Sequence, residues 1–351
     1  MIDFRYHLVS IVAVFLALAI GIVLGSTELQ GHTIDALQAT ANYLRNELDA
    51  ADAQRADYQT QASAEEQYLQ TAEPRLLGGL LTGDGVVIIT EPGAQGSVVD
   101  GIRQAAVTAG ATVTGLVALQ PAFNDLSGAT QSSLDSIDSQ IASTDDVALD
   151  APADPQTAPQ QQAAQLIAAA LLTKAGSLPL LSASGAQTLL SAYAQAGYLT
   201  VSGTPTGGAT LAVLVTPQTA PADGANDPAN QVLLAITPEF ASASAATVVV
   251  GGTAGSAQSG SAISVLRSSS ASSMASTIDD ADTTLGQITV VEALAAQLAG
   301  KKPNSYGVSG ASALSPVPVP SPSASPSASV SVTPTPHPTA TEKGKKPVKK
   351  K

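Results

Sequence analysis

The chain of 351 residues is long enough for one large domain or two modest ones, and it has a net charge of −13 with no Cys and no Trp. The absence of Cys excludes disulfides, zinc–thiolate sites and thiol nucleophiles. Six Lys lie in the last ten residues, and the remainder has 9 basic against 27 acidic residues. A body this acidic excludes nucleic acid as a partner because phosphate contacts require cations. Only the Lys-rich end is expected to bind an anionic envelope polymer.

An apolar run at residues 8–24 reads LVSIVAVFLALAIGIVL and approaches the roughly 20 residues that a membrane-spanning helix needs. Arg5 precedes the run and Glu28 follows it, which orients the N-terminus to the cytoplasm and exports the rest of the chain. A cleaved signal peptide is the alternative, but the small-x-small site at residues 19–21 lies inside the apolar run. We therefore expect residues 1–26 to form an uncleaved, single-pass signal-anchor in the cell membrane.

A small residue recurs at every fourth position along one face of this span. Small residues at this spacing let two helix backbones approach closely in lipid, although Ala and Gly are common throughout this chain. The pattern predicts contact between two copies of the span through Ala13, Ala17, Gly21 and Gly25.

Apolar residues at seven-residue steps follow the span, set among charged residues and without Pro or Gly between Thr33 and Glu73. This heptad pattern predicts a coiled-coil stalk over residues 27–73, interrupted once by Arg55 and ended by Pro74. A single amphipathic helix folded back on the next domain is the alternative. The paired stalk would make the protein a homodimer, with a seam that includes Ile34, Leu37, Leu44, Leu48 and Leu69.

Strands and helices alternate over residues 75–310, which predicts a Rossmann-like α/β domain with a doubly wound, mainly parallel sheet. The predicted strands are 86–90, 112–119, 211–215 and 247–250, with a short edge strand near Met274; the predicted helices are 97–109, 163–172, 185–196, 230–240 and 283–298. Residues 145–162 are rich in Asp, Pro and Gln and are predicted to form a surface loop. Residues 311–351 are rich in Pro and Ser and end in the Lys cluster, which predicts a disordered tail.

Catalytic residue types are scarce in the predicted α/β domain. The three histidines, His7, His32 and His337, all lie outside it. With no Cys either, the domain lacks the usual general base, thiol nucleophile and transition-metal ligands, so we expect neither enzymatic activity nor a cofactor. The turn at residues 91–97 lacks the G-x-G-x-x-G dinucleotide fingerprint, and Ser97 is expected to cap the helix that follows.

Asp279, Asp280 and Asp282 form the densest acidic cluster of the predicted domain. Their carboxylates are candidate ligands for a hard cation. Their position just ahead of the last predicted helix favours a structural role, since acids are stabilised near the positive end of a helix dipole. A soft metal such as copper would require Cys, Met or His, and the exported region offers only Met274, His32 and His337, too scattered for a site.

Two stretches of the sequence resemble a known family. The N-terminus, MIDFRYHLVSIVAVFLALAIGIVLGS, is similar to that of the actinobacterial copper transport family, typified by mycobacterial copper transport protein B. The later stretch STIDDADTTLGQITVVEALAAQLAGKKPNSYG resembles the C-terminal block of the same family. The resemblance covers roughly residues 1–310 and implies a copper exporter or outer-membrane pore of the cell envelope. It also implies a link to cell separation, with a peptidoglycan hydrolase as partner.

Two functions are therefore expected from the sequence. The first is a non-enzymatic, membrane-anchored protein of a copper efflux or pore system, as the resemblance implies. The second is a dimeric envelope scaffold that binds and regulates a cell-wall hydrolase or another division or envelope partner. A single α/β domain with 3% aromatic residues does not fit a transmembrane β-barrel, which needs many alternating strands and aromatic girdles.

Overall fold

The computed structural model describes residues 4–145, 147–174, 177 and 179–316, and for residues 26–36 and 145 it describes the backbone alone. The predicted tail from residue 317 onward lies outside this description, as does the side chain of Ile34. The helices are α1 (Phe4–Leu77), α2 (Gly96–Thr108), α3 (Gly128–Asp145), α4 (Ala158–Leu171), α5 (Ala183–Gln195), α6 (Pro228–Ala243), α7 (Thr253–Ser256), α8 (Ala262–Arg267) and α9 (Thr284–Leu298). The strands are β1 (Gly85–Thr90), β2 (Thr112–Leu119), β3 (Leu199–Gly203), β4 (Leu211–Val215), β5 (Ala246–Val250), β6 (Ser276–Ile278) and β7 (Ser305–Tyr306).

Helix α1 contains both the apolar span and the predicted stalk in 74 residues. At a rise of about 1.5 Å per residue, it is roughly 110 Å long. The prediction that Pro74 ends this helix is wrong, because α1 continues to Leu77. A proline removes its own N–H from the helix, but its carbonyl still accepts, here from the Gly78 N–H at 3.2 Å.

The seven strands form one sheet in the order β3-β2-β1-β4-β5-β6-β7. All neighbours are parallel except β2 and β3, so the prediction of a mixed α/β fold with a mainly parallel sheet is confirmed. Every residue of β1, β4 and β5 is buried, as expected for strands that helices cover on both faces. The order reverses at β1, which lies between β2 and β4, so the topological switch point is at the carboxyl ends of β1 and β4.

Two apolar layers cover the sheet. One joins α3, α4, α5, α6 and α8 to the sheet and contains the large buried side chains Phe123, Tyr193 and Phe240. The other joins the end of α1, α2 and α9 to the opposite face and is built mainly from Val, Ile, Leu and Ala. Small side chains in the second layer let the helices lie close to the sheet without aromatic rings.

Several elements differ from those predicted. The last predicted edge strand lies slightly later, at β6, inside the sheet between β5 and β7. Helices α3, α7 and α8 and strands β3 and β7 were not predicted, and α4 begins at Ala158, so the last part of the loop expected at residues 145–162 is helical. The N-cap of α2 is Gln95 and not Ser97, and it makes no side-chain capping bond. The missed elements are short or rich in Ser, Thr and Gly, so they carry little hydrophobic periodicity.

The last turns of α1 run along the sheet in the direction opposite to its parallel strands. The Glu66 carboxylate accepts from the side chain of Thr284 and, at 3.3 Å, from its N–H, and Thr284 begins α9 at the carboxyl end of β6. Eleven residues later, buried Leu77 lies near the start of β1. The part of α1 that precedes Glu66, including the span, therefore projects from the side of the sheet where the parallel strands end.

Candidate functional site

The apolar segment of α1 presents its whole surface outward. Phe4–Gly25 is long and apolar enough to cross a membrane, with a mean hydropathy of 2.9, and none of it is buried in the protein. Ala17, Gly21 and Gly25 are exposed in this segment. A Cβ added to Gly21 or Gly25 would meet nothing within 4 Å, so the predicted close-approach face is open in the single chain. The segment has the length and composition of a membrane anchor.

The predicted stalk carries a row of exposed apolar side chains. Leu37, Leu44 and Leu48 are 69%, 55% and 65% exposed. Leu69, further along the row, is half-buried against the α/β domain, so the end of the predicted seam packs on the chain's own core. The alternative of an arm folded back on its domain therefore applies to the last turns of α1, while the leucines nearer the membrane are exposed in the single chain.

The topological switch point is where a doubly wound sheet binds its ligands, and here the chain's own residues fill it. A Cβ added to Gly252, which follows β5, would lie 2.0 Å from the Gln218 side chain, and one at Gly255 would lie 2.1 Å from the Gln218 carbonyl. The loop after β4 is therefore folded tightly over the end of β5. Backbone bonds from Glu91 to Val215 and from Thr216 to Val250 hold these strand ends together.

Glu91 is the most unusual residue at the switch point. It follows β1, is 5% exposed, and its Oε1 has no hydrogen-bond partner among the described residues. Burial and, to a lesser degree, the nearby Asp227 carboxylate raise the pKa of Glu91 to about 8. Asp227 itself caps α6 by accepting from the Ala229 N–H at 2.9 Å. The buried Glu91 side chain occupies the place where a doubly wound fold has its phosphate loop, and it offers a pyrophosphate an acidic group and not a cation.

The three acidic residues predicted as a cation site have separate surroundings. Asp279 forms a buried ion pair with Arg267 at 2.8 Å, and Asp282 accepts from the N–H and hydroxyl of Thr253 at 2.9 and 2.8 Å. Asp280 is buried with one oxygen unpartnered among the described residues, and burial and then Asp279 raise its pKa to about 6. The described residues contain no group of three or more His, Cys, Asp or Glu that could hold a metal ion.

Arg267 and Asp279 form the centre of a polar cluster that sequence reasoning missed. Arg267 donates to Thr277 Oγ1 at 2.9 Å and to the carbonyls of Tyr306 and Ser309 at 2.7 and 2.6 Å. Asp279 accepts from the N–H groups of Val308 and Ser309 at 2.7 and 3.1 Å. These bonds fasten the segment after β7 to the ends of α8 and β6. No local motif marks the pair, because its members are twelve residues apart and meet only in the folded chain.

Because burial raises the pKa of two carboxyl groups, we expect the α/β domain to become less stable as pH rises. Glu91 has a folded-state pKa near 8 against an ordinary 4.5, so its proton is lost from the unfolded chain first. The free energy of unfolding should therefore decrease from about pH 4.5 to pH 8, by up to about 1.4 kcal/mol per pH unit for this group. Asp138, whose pKa burial raises to about 7, adds to the slope in the same direction. In urea unfolding, the free energy of unfolding of Glu91→Gln should change less with pH than that of the natural chain. Asp100→Asn, at an exposed position, should leave this pH dependence unchanged. The same pH dependence in Glu91→Gln and in the natural chain would contradict the assignment to Glu91.

Sequence comparison with known proteins gives matches that extend over most of this chain. The family described as "Copper transport outer membrane protein, MctB" matches residues 1–316. Proteins named "Copper transporter MctB" from Mycobacterium bovis and Mycobacterium tuberculosis are 29% identical over 326 residues, covering 90% of this chain and 98% of theirs. The protein of the same name from Mycobacterium leprae is 28% identical over 329 residues, covering 90% of this chain and 99% of its own. Because the match runs from the apolar span through the predicted stalk to the segment after β7, the chain belongs to the MctB copper transport family.

Proposed function

We propose that this chain acts in copper transport as a membrane-anchored, non-enzymatic protein of the cell envelope. The observation that carries the proposal is the extent of the family match, residues 1–316, which includes the span, the stalk and the α/β domain. Relatives named copper transporters match over 90% of this chain, so they share its arrangement of parts and not merely one domain. The copper ion is the substrate of this activity and not a resident cofactor.

The proposed topology places the N-terminus in the cytoplasm and the α/β domain outside it. Arg5 lies before the apolar run at residues 8–24 and Glu28 follows it, in agreement with the positive-inside rule. We expect the mature chain to begin at Met1 or Ile2 and to fractionate with membranes, since the apolar run lacks a good cleavage site. Protease added to intact spheroplasts should degrade the domain. A mature N-terminus near Ser26, found by mass spectrometry, would refute the anchor.

We do not expect the α/β domain to bind copper. Cu(I) prefers Cys, Met and His, and residues 75–310 contain neither Cys nor His and a single Met, Met274. We test this with a variant of the full chain in which His7, His32 and His337 are all replaced by Ala. In titrations against a Cu(I) chelator in detergent, this triple variant should bind no Cu(I) tightly. A stoichiometric, submicromolar site in that triple variant would mean that the domain itself binds copper.

The cellular test compares copper accumulation in strains with and without the chain. A strain that lacks it should accumulate copper and grow poorly at high copper, and the complete chain should restore both properties. A version that carries a cleavable signal peptide in place of Phe4–Gly25 should not restore them, because the anchor is part of the proposed unit. Equal copper contents in all three strains would refute the proposed function.

A second candidate function, a dimeric scaffold for an envelope partner, is favoured by the exposed leucines of α1. A single apolar span can line a conduit only as an oligomer, whereas a paired stalk can hold a domain away from the membrane without conducting. Planar-bilayer recordings of the purified chain separate the two: copper-dependent conductance supports the transport role. A silent bilayer, with co-purification of a cell-wall hydrolase from membranes, supports the scaffold.

A further inference from the structure

The outer edge of β3 is open. Among the described strands, β3 pairs with β2 alone, in antiparallel register, and the Gln120 N–H donates to the Tyr198 carbonyl beside it. Since alternate residues of an antiparallel edge strand face the neighbouring strand, Leu199, Val201 and Gly203 direct their backbone groups away from the sheet. No described residue bonds to these outward groups.

The opposite edge of the sheet is covered by the chain itself. Ala313 forms a parallel bridge with Tyr306, and the Gly307 N–H donates to the Ala313 carbonyl at 3.1 Å. Natural sheets commonly cover or charge their edges, because an open edge can pair with another segment. Strand β3 has no Lys, Pro or acidic residue that would serve this purpose.

A groove of about 330 Å³ runs along the open edge, between β3 and α5. Apolar residues of α5 and of β3 with the turn after it line the groove, together with uncharged polar residues: Leu190, Ala194, Val201 and Pro205 with Gln187, Ser191, Thr204 and Thr206. Leu199 and Val201 face the apolar layer under α5, whereas Thr200 and Ser202 are exposed on the other face. A strand added to this edge would therefore place every second side chain in the groove and leave the others beside Thr200 and Ser202.

The residues that line the groove carry no charge. Residues 175–222, which include α5, β3 and the turn after β3, contain no Lys, Arg, Asp, Glu or His, in a chain with 28 acidic residues. A charged segment would gain no partner here and would lose water. The occupant that fits is an uncharged extended segment with small or β-branched apolar residues at alternate positions.

One segment of this chain has that pattern. Residues 327–333 read SASVSVT, with Ala328, Val330 and Val332 alternating with hydroxyl side chains. The segment contains no Pro, so each residue keeps its N–H for pairing, and Pro326 and Pro334 flank it. Strict alternation over seven residues is typical of a strand with one buried face.

The chain is long enough for this segment to reach the groove. The described residues end at residue 316, close to β7, and a strand added beyond β3 would lie seven strand spacings of about 4.8 Å from β7, roughly 34 Å. The eleven residues from 316 to 327 span up to about 36 Å when extended. We propose that residues 327–333 add to the outer edge of β3 as a further strand of the same chain, with Ala328, Val330 and Val332 in the groove beside α5.

Disulfide trapping in this Cys-free chain tests the side-chain alternation directly. Thr200→Cys is combined, in the full chain in membranes, with a single Cys at each of residues 328 to 333 in turn. Facing residues of paired strands lie within the 4.4–6.8 Å Cα separation that a disulfide needs, and only side chains on the same face can be bridged. After oxidation with diamide, one of residues 329, 331 and 333 should give the highest yield of cross-linked monomer. Residues 328, 330 and 332 should give yields lower by about tenfold or more.

Two further variants decide what the cross-link means. Val330→Lys with Val332→Lys, placed in the best-yielding pair, should reduce its yield by about tenfold or more, because unpaired ammonium groups would enter the groove. Ser132→Cys on exposed α3 replaces Thr200→Cys as the control and should give little product. Equal yields at all six tail positions, or a control yield equal to that of the Thr200→Cys pairs, would refute the proposal. Cross-linked dimers in place of monomers would show that the tail of a second copy occupies the groove, which also overturns it.

Discussion

Leu44→Asp is expected to abolish dimerisation of the stalk. In the single chain Leu44 is 55% exposed, so an Asp at this position would leave the isolated fold undisturbed. In a paired coil the same Asp would be buried at a seam position in both helices, at a cost of several kcal/mol for each unpaired carboxylate. A loss of dimer with an unchanged unfolding midpoint of the α/β domain is therefore the expected result.

Cysteine cross-linking in membranes measures this dimer. Cys at residue 37 or 44 should cross-link two copies, and Cys at Asp49 or Asp52, on the exposed side of the predicted seam, should cross-link much less. Adding Leu44→Asp to the residue 37 variant should remove its product. Equal yields at all four positions, or none, would mean that α1 is not a paired coil, and its exposed leucines would then require another partner.

Gly21→Ile separates the contribution of the span from that of the stalk. The position is open in the single chain, since an added Cβ meets nothing within 4 Å, so only contact between two spans should make it sensitive. Joined interfaces raise each other's effective concentration, and we expect Gly21→Ile to weaken the cross-link at residue 37 without abolishing it. An unchanged yield would restrict the dimer contact to the stalk.

Arg267→Leu is expected to destabilise the α/β domain by about 3–5 kcal/mol, the usual result of removing one partner from a buried ion pair. Asp279 is fully buried and would lose its cationic partner without Arg267, while the carbonyls of Tyr306 and Ser309 would lose their donors. Urea unfolding followed by the near-ultraviolet signal of the buried tyrosines measures the loss, since the chain has no Trp.

Arg103→Leu is the matched control. Arg103 pairs with Asp100 on the surface, where both side chains are more than half exposed, and such pairs contribute at most about 1 kcal/mol. The double variant Arg267→Met with Asp279→Leu should recover part of the stability that Arg267→Leu loses, because it leaves no unpaired buried charge. An effect of Arg267→Leu no larger than that of Arg103→Leu would show that the pair does not hold the segment after β7 in place.

Local sequence patterns determined the apolar span and the alternation of strands and helices. The run at residues 8–24 is apolar at every turn of a helix, and β1, β4 and β5 are short apolar runs, so each pattern predicts the burial of its own segment. Helical periodicity also predicts which residues share one side of α1. It places Ala17, Gly21 and Gly25 on one face of the span and Leu37, Leu44 and Leu48 on one face of the predicted stalk. Pairing of these faces between two copies stays a prediction.

Contacts between distant residues were decided only by the tertiary structure. The sequence suggests one acidic cluster at Asp279, Asp280 and Asp282. In the fold, Asp279 pairs with Arg267 and Asp282 accepts a hydrogen bond from Thr253. Asp280 has one oxygen without a partner among the described residues. The antiparallel β3, the closed switch point over Gly252 and the bond from Glu66 to Thr284 also depend on segments far apart in the chain. Periodicity reports which face of an element is buried, but not which element buries it, and that choice is made by the packing of the whole domain.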